Sequence, residues 1–479
     1  MKAVVLADLQ PLQRIAAIVF LTVLSLCAGL SIYLDQVILL AVPAALLAMA
    51  ALVIMPRIFP VIYFMALPYS MEISISDTLG TDLPSEPLLL LLTGLALIHL
   101  IWQPHRVSKN ILTHPISILI LVHLSWIVLT TLTSTQSNIS LKFLAAKSWY
   151  LGALYLLPLL WYKWRDIMRL SKYMIYSTLP LALFVLIKHS QSGFGFVEAN
   201  FVMAPFFRNH VTYAVFFLFL LPFAWWHMRE AKQKNEKYRW ALIIGFFCIA
   251  LYFNYTRIAH IGMVLLPVSY LIMRLRLSRI FLIAALAVIV GLSTWLTTDR
   301  NFVKLAPDYS TTIAHKNFED LLEATLKGKD VSSMERVYRW VAAGFMVAEK
   351  PLMGFGPGTF YESYRPYTVL AFRTYVSNNE ERSGMHNYFL MLTVEQGIIG
   401  VIIFLALWLY ALLRAERLAH THESVSGRRL AAVVYMTMIS IGLVHLLNDL
   451  IETDKVGTFF FVSLALLVLL DSSRRTLPK

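Results

Sequence analysis

The chain has 479 residues, of which 58% are hydrophobic and only 14% are charged, and its mean hydropathy is +0.67. A soluble globular protein carries about 25% charged and 45–50% apolar residues, so this chain would expose apolar surface unless lipid covered it. The composition excludes a soluble enzyme, a nucleic-acid-binding protein and a disordered scaffold as descriptions of the whole chain. The net charge of +13 indicates membrane topology, because Lys and Arg collect in cytoplasmic loops.

Apolar runs of about 20 residues, the length that crosses a bilayer core of about 30 Å, recur along the whole chain. They predict an all-α, polytopic membrane helix bundle in a single membrane domain over residues 1–479. The predicted spans lie near residues 15–34, 37–55, 58–70, 86–103, 114–133, 145–162, 173–190, 209–227, 240–256, 257–273, 280–297, 386–412, 430–449 and 456–471. The span at 58–70 is short and the hairpin at Arg257 is tight, so we expect about 12–14 transmembrane helices. The first run lacks a cleavage site and predicts a retained helix.

Clusters of Lys and Arg fall in short loops that this map places on one side of the membrane. They occupy residues 163–172, 229–239, 274–279 and 414–429. By the positive-inside rule that side is the cytoplasm, and both termini lie there too. The opposite side receives an acidic loop at 72–86, a Gly/Ser loop near Gly193 and a long segment at 298–385.

The segment at 298–385 is long enough to form a structured loop outside the membrane. Residues 332–335 (Ser-Ser-Met-Glu) have the spacing of a capping box, which predicts a helix that begins there and ends at Lys350, because Pro351 follows. Residues 354–358 (Gly-Phe-Gly-Pro-Gly) predict a tight turn. Alternating glycines could also let the backbone approach a phosphate, but the Lys-Ser/Thr of a P-loop is missing.

Several cations should meet at the outer membrane surface. Arg208 and His210 open the eighth predicted span, and Arg257 lies at an outer hairpin. An arginine within hydrocarbon costs several kcal/mol, so each should face the protein interior, a water-filled cavity or an anion, although any one of them alone would also suit an interfacial arginine. Arg336 and His386 come from distant sequence yet map to the same surface, and this convergence indicates an anion-binding site.

The two arginines of the predicted outer helix should differ in role. Glu335 and Arg339 are at positions i and i+4 with the acid first, the favourable order for a helical ion pair. Arg336 has no such partner and is the better candidate for an external anion, because the planar guanidinium suits phosphate oxygens.

His386 stands where the long segment re-enters the membrane, a position that also suits a helix cap or an interfacial group. Glu395, nine residues later, would lie about 180° round a helix and about 13 Å further along. We therefore expect no direct His386–Glu395 dyad, and a separate partner for a buried Glu395. His445 and Asp449, at i and i+4, predict a helix-end polar pair or, alternatively, a second acid/base site. No metal-binding motif appears outside the membrane, so neither a metal nor a cofactor is expected.

These motifs together resemble the bacterial O-antigen ligase and Wzy-type polysaccharide polymerase superfamily. The resemblance covers most of the chain from about residue 200 onward, although Thr256 stands where the family more often has Ser. The stretches that carry it are 207–210 (Phe-Arg-Asn-His), 255–257 (Tyr-Thr-Arg), 333–340 (Ser-Met-Glu-Arg through Arg-Trp), 351–358 (Pro-Leu-Met-Gly-Phe-Gly-Pro-Gly), 386–390 (His-Asn-Tyr-Phe-Leu) and 395–400 (Glu-Gln-Gly through Gly).

The resemblance implies a metal-independent glycosyltransferase of the bacterial inner membrane, with its active site facing the periplasm. Its donor would be a glycan on undecaprenyl pyrophosphate. Its acceptor would be either a lipid A core sugar, for a ligase, or another lipid-linked glycan, for a polymerase, and the sequence leaves both open. A transporter or flippase of lipid-linked oligosaccharide is an alternative, but transporters commonly carry paired repeats that this sequence lacks. A protein O-oligosaccharyltransferase is a further alternative within the enzyme class.

The resemblance also implies roles for individual residues. His386 would be the base that accepts the proton of the acceptor hydroxyl. Three arginines would bind the donor pyrophosphate: Arg208, Arg257 and Arg336. Apart from the resemblance, we expect four further residues to support the site: His210, Arg339, Glu395 and Asp449.

Overall fold

The computed structural model describes residues 54–76, 79–104, 109–307, 330–378 and 384–474, together with a few residues between 22 and 34. The chain divides into two compact units, 1–62 and 63–479, and the functional residues predicted above all belong to the second. The predicted spans at 15–34 and 37–55 lie almost wholly outside the described residues.

The described chain is almost entirely helical. Its α-helices are α1 (Ile58–Ala66), α2 (Ser85–Trp102), α3 (Lys109–Leu112), α4 (Pro115–Leu132), α5 (Ser137–Leu151), α6 (Leu157–Trp161), α7 (Trp164–Ser190), α8 (His210–Glu230), α9 (Lys234–Tyr252), α10 (Arg257–Arg274), α11 (Ser278–Thr297), α12 (Val331–Glu349), α13 (Phe360–Ser363), α14 (Tyr388–Thr421), α15 (Val425–Leu447) and α16 (Asp454–Arg474). One π-helical turn, Gly152–Leu156, joins α5 to α6. Two short strands, β1 (Met71–Ser76) and β2 (Leu79–Leu83), form an antiparallel hairpin.

Ten helical segments in the described part of the chain are long and apolar enough to cross a membrane. The predicted all-α polytopic bundle is therefore confirmed. The predicted span at 240–256 corresponds to α9, which is not among the ten because charged residues crowd its first six positions, 234–239. The predicted span at 58–70 is only a short apolar helical segment, Ile58–Tyr69.

Three helices form the centre of the second unit. In α8, α15 and α16, 83% of an apolar 18-residue stretch is buried inside the protein. In α11, none of such a stretch is buried. Phe216, Phe219 and Phe223 of α8 all pack against the ring of Phe459 in α16. Because lipid tails are as apolar as the side chains, such close packing, rather than escape from water, holds membrane helices together.

Helix α14 is broken at Gly397, which has a φ of 73°. The sequence predicted a continuous span here and did not reveal the break. A Cβ at this position would collide with the carbonyl of Leu352, so the glycine is needed for the turn at 351–358 to reach the helix. Ile398 N donates to Pro351 O (2.8 Å) and Phe355 N donates to Val394 O (3.0 Å). These bonds satisfy backbone groups that the break releases and anchor the long outer segment to α14.

Helix α12 begins and ends close to where the sequence predicted, from Val331 to Glu349. The predicted capping box is wrong, because the N-cap is Asp330, whose carboxylate accepts from the backbone N–H groups of Ser332 and Ser333 at 3.4 and 3.0 Å. The acid that the capping box required, Glu335, is instead buried within the outer segment. A carboxylate at the N-cap reaches the free N–H groups directly, so the serines need not cap.

Candidate active site

The backbone around His386 is held by helix α12. Arg339 Nη1 donates to Gly384 O (2.9 Å), and Trp340 Nε1 donates to Met385 O (3.0 Å). His386 itself has a φ of 55°, in the left-handed region that residues other than glycine rarely adopt. Such conformations persist only where neighbouring contacts fix them, and they concentrate at functional sites.

His386 lies just outside helix α14. The helix begins at Tyr388, and the N-cap Asn387 accepts from Leu390 N (3.0 Å). The helical angle used in the sequence argument therefore does not apply to His386. The side chains of His386 and Glu395 bond to different partners, and no hydrogen bond joins them within the described ranges.

Asn448 orients the imidazole of His386. The His386 Nδ1 lies 3.3 Å from Asn448 Oδ1. A carbonyl oxygen only accepts hydrogen bonds, so Nδ1 carries the proton and Nε2 keeps its lone pair. A residue that fixes the tautomer in this way prepares the other ring nitrogen to act as a base.

Asp449 lies near His386, and its carboxylate closely approaches Gly384. A Cβ on Gly384 would collide with the Asp449 carboxylate. Burial lowers the pKa of His386; Arg336 and Arg339 lower it further, whereas Asp449 and the hydrogen bond that His386 donates to Asn448 oppose them. The net direction is downward from the ordinary histidine pKa, so the imidazole is neutral at neutral pH.

Arg336 presents a half-buried cation that has no protein partner within the described ranges. Its Nε is buried and has no hydrogen-bond acceptor, and no ion pair involving it is found within the described ranges. Burial lowers its pKa to about 10, with Arg257 and Arg339 also lowering it and Asp330 and Asp449 opposing them. The guanidinium therefore stays protonated at neutral pH, and an anion beside it would relieve the cost of burying an unpaired charge.

Arg339 forms the ion pair that the sequence predicted. Its Nη2 lies 3.3 Å from Glu335 Oε2, and both side chains are less than 10% exposed. The hydroxyls of Thr374 and Ser377 donate to the other oxygen of Glu335. This part of the prediction is confirmed, and the neighbouring arginines differ as expected: Arg339 is held by protein groups and Arg336 is not.

Arg257 links α10 to the start of α12. Its Nη1 donates to Asp330 Oδ2 (3.1 Å) and to Ser333 Oγ (3.4 Å). The sequence did not predict this partner, because Asp330 is 73 residues away. Arg257 lies near enough to His210 and Arg336 for its positive charge to affect both side chains. Arg257 thus belongs to the same group of side chains as Arg336, although it also has a structural role.

Arg208 occupies a different setting. Its side chain is 64% exposed, and its Nε lies 3.9 Å from Glu72 Oε2 on the β1–β2 hairpin. The helix that follows begins as predicted, with Asn209 as N-cap accepting from Thr212 N (2.8 Å). The assignment of Arg208 to the donor pyrophosphate stays a prediction.

The predicted polar pair of His445 and Asp449 is wrong. Helix α15 ends at Leu447, so Asp449 is no longer on the helical face that carries His445. The ring of His445 is fully buried against Tyr388 and Phe389, with centroid distances of 4.7 and 5.4 Å. His445 is a packing residue, whereas Asp449 belongs with His386.

The sequence did not predict the hydrogen bonds that fix the connection between α15 and α16. Glu452 Oε1 accepts from Lys147 Nζ and from Tyr388 OH, both at 2.6 Å. These bonds hold the short loop that carries Asn448 and Asp449. In the sequence, this loop is marked by a polar stretch between two apolar spans, at residues 448–454.

Glu395 is a structural carboxylate for the glycine-rich turn. Its Oε2 accepts from Gly358 N (2.9 Å), its Oε1 accepts from Phe360 N (3.1 Å), and the residue is 2% exposed. Gly356 N donates to the backbone carbonyl of Glu395 (2.9 Å). The backbone N–H groups that a phosphate would need therefore already donate to Glu395. This favours a structural turn over a phosphate-binding loop.

Replacing Glu395 should reduce stability in proportion to the acceptors lost. Each buried donor left unsatisfied costs about 1–3 kcal/mol, so Glu395→Leu, which strands two N–H groups, should lower the free energy of unfolding more than Glu395→Gln, which keeps one acceptor. Thermal unfolding in detergent measures both variants. Glu423→Gln, at an exposed carboxylate, is the control. A loss of activity without a loss of stability in Glu395→Gln would contradict the structural role.

The fold and this site define an integral membrane protein with a cationic site at one end of its helix bundle. Residues 240–405 match the family model described as O-antigen ligase. This match supports membership of the O-antigen ligase/Wzy family, which the motifs resemble. The match indicates an O-antigen ligase-like activity in surface polysaccharide biosynthesis. The matched segment contains Arg257, Arg336, Arg339, His386 and Glu395. No curated protein matches the chain.

Proposed function

We propose that the protein is a metal-independent glycosyltransferase that moves a glycan from undecaprenyl pyrophosphate to a sugar hydroxyl. The observation that carries the proposal is a half-buried cation near an oriented neutral imidazole: Arg336, which has no partner within the described ranges, and His386. The first suits a pyrophosphate, and the second suits a hydroxyl that must lose its proton.

His386 performs the proton transfer in this proposal. Its Nε2 takes the proton of the acceptor hydroxyl as the oxygen attacks the anomeric carbon of the donor sugar. The bond from that carbon to the pyrophosphate oxygen breaks, and the electron pair leaves with the lipid pyrophosphate. Direct displacement of this kind inverts the anomeric centre. The neutral state of His386 at neutral pH and the proton held on Nδ1 suit this role.

The arginines stabilise the departing pyrophosphate. Arg336 interacts electrostatically with His386, and no protein acceptor within the described ranges binds its guanidinium. Fixed cations aimed at developing negative charge lower the barrier. Arg257 adds a second charge that Asp330 holds in place. Arg208 is assigned to the same anion by resemblance to the family.

The proposed location is the bacterial inner membrane, with both termini in the cytoplasm and the site facing the periplasm. The basic loops at 229–239 and 414–429 support this orientation. The acceptor is a lipid A core sugar or another lipid-linked glycan, and the enzyme is accordingly a ligase or a polymerase.

Purified protein in nanodiscs tests the proposal. It is supplied with lipid-linked donor, a chelator and one of two acceptors, lipid A core or a second lipid-linked repeat. We expect transfer to one acceptor, with release of undecaprenyl pyrophosphate and no dependence on divalent cations. Transfer to lipid A core identifies a ligase, and lengthened lipid-linked chains identify a polymerase. Movement of intact donor across the bilayer without product would support the transporter alternative and overturn the proposal.

A further inference from the structure

Two adjoining cavities lie at the end of the bundle that carries the basic loops, far in sequence from the His386 motif. The first, about 610 Å³, is lined largely by polar residues of the α8–α9 connection, including Glu230, Lys232, Glu236 and Arg239. The second, about 560 Å³, is a mainly apolar groove between α7 and α9. Arg239 and Asn235 line both cavities, so a polar cavity and an apolar groove lie side by side.

The polar cavity offers both cations and a carboxylate. Glu230 is neutralised by Arg429, whose Nη1 lies 2.8 Å from Glu230 Oε1. Across the described ranges, no hydrogen bond or ion pair engages the side chains of Lys232, Glu236 or Arg239. The cavity therefore presents two uncompensated positive charges and one uncompensated negative charge. A ligand with a phosphate and an adjacent ammonium group complements that arrangement.

The apolar groove is open at the outer surface of the bundle. Tyr176 and Leu179 of α7 form one wall, and Leu242 and Phe246 of α9 form the other. Leu242 is 74% exposed, so this wall is not covered by another part of the described protein. An extended hydrocarbon chain suits such a groove.

We propose that the two cavities bind one phospholipid whose headgroup carries a primary ammonium, such as phosphatidylethanolamine. The phosphate lies against Arg239 and Lys232, the ammonium donates hydrogen bonds to Glu236, and an acyl chain fills the groove. This site is separate from the proposed glycan-transfer site and does not depend on it.

Native mass spectrometry of delipidated protein titrated with defined phospholipids tests the site. Wild type should bind phosphatidylethanolamine more tightly than phosphatidylcholine, whose quaternary ammonium has no N–H for Glu236. Arg239→Gln should weaken binding of both lipids by about fivefold, the effect of one basic residue at a lipid surface. Glu236→Gln should abolish the preference for phosphatidylethanolamine and leave phosphatidylcholine binding unchanged.

Lys237→Gln is the matched control, because Lys237 is an exposed basic residue of α9 that lines neither cavity. It should leave lipid binding unchanged. Equal losses in Lys237→Gln and Arg239→Gln would overturn the proposal, and so would equal wild-type affinity for the two lipids. Displacement of the lipid by soluble phosphoethanolamine at a similar concentration would show that the groove contributes nothing, which would also overturn it.

Discussion

His386→Gln should reduce glycan transfer by about 10²–10⁴-fold, the usual contribution of a general base. Glutamine can keep a hydrogen bond to Asn448 but cannot accept a proton at neutral pH. Donor binding should be nearly unchanged, because the arginines supply it. Single-turnover transfer and donor affinity, measured separately on protein in nanodiscs, distinguish the two effects.

The control for this variant is His420→Gln at the other end of α14, where the imidazole Nε2 lies 2.8 Å from Met273 O. It should transfer at the wild-type rate. Near wild-type transfer by His386→Gln would remove the base from the mechanism and leave Asp449 as the next candidate, since its carboxylate lies beside the same imidazole.

The pH profile gives a second measure of the same role. The pKa of His386 is lowered, so the neutral base persists as the pH falls below the ordinary histidine value of about 6.5. Transfer should therefore be retained at pH 6.5 and should fall only as the pH passes through the lowered pKa. A profile that loses half its activity above pH 6.5 would indicate a histidine in a different environment.

The sequence predicted the spans, the helix at 331–349 and the pair of Arg339 with Glu335 because these depend on composition and on short spacings. It did not predict contacts between distant segments. The partner of Arg257 is 73 residues away, and Asn448 is 62 residues from His386. Neither pairing follows a helical period, so only the folded chain reveals it.

The two errors near the site have local causes. The N-cap was assigned to a serine because the spacing to Glu335 matched a capping box, whereas Asp330 precedes it and its carboxylate is the acceptor used. His445 and Asp449 were paired on the assumption that α15 continued, but the helix ends at Leu447. Helix ends are set by caps and tertiary contacts as much as by hydropathy.

Substitutions of Arg336 and Arg339 should differ in their effects: one should mainly slow transfer, and the other should mainly reduce stability. Arg336→Ala should slow transfer by roughly ten- to a hundredfold, because a charged hydrogen bond is worth about 1.5–3 kcal/mol. Its thermal stability should be unchanged or higher, since an unpaired buried charge has been removed. Arg336→Lys should rescue transfer only in part, because an ammonium lacks the planar fork that binds two phosphate oxygens.

Arg339→Ala should reduce stability more, and transfer less, than Arg336→Ala does. It leaves the Glu335 carboxylate buried without its cation and removes the bond to Gly384 O. Breaking one partner of a buried pair costs about 3–5 kcal/mol, so the unfolding temperature should fall clearly, and activity per folded molecule should fall less than in Arg336→Ala. Denaturation in detergent and transfer normalised to folded protein measure both effects. If the two alanine variants lose stability and transfer to the same extent, the adjacent arginines share one role, and the assignment of Arg336 to the pyrophosphate is wrong.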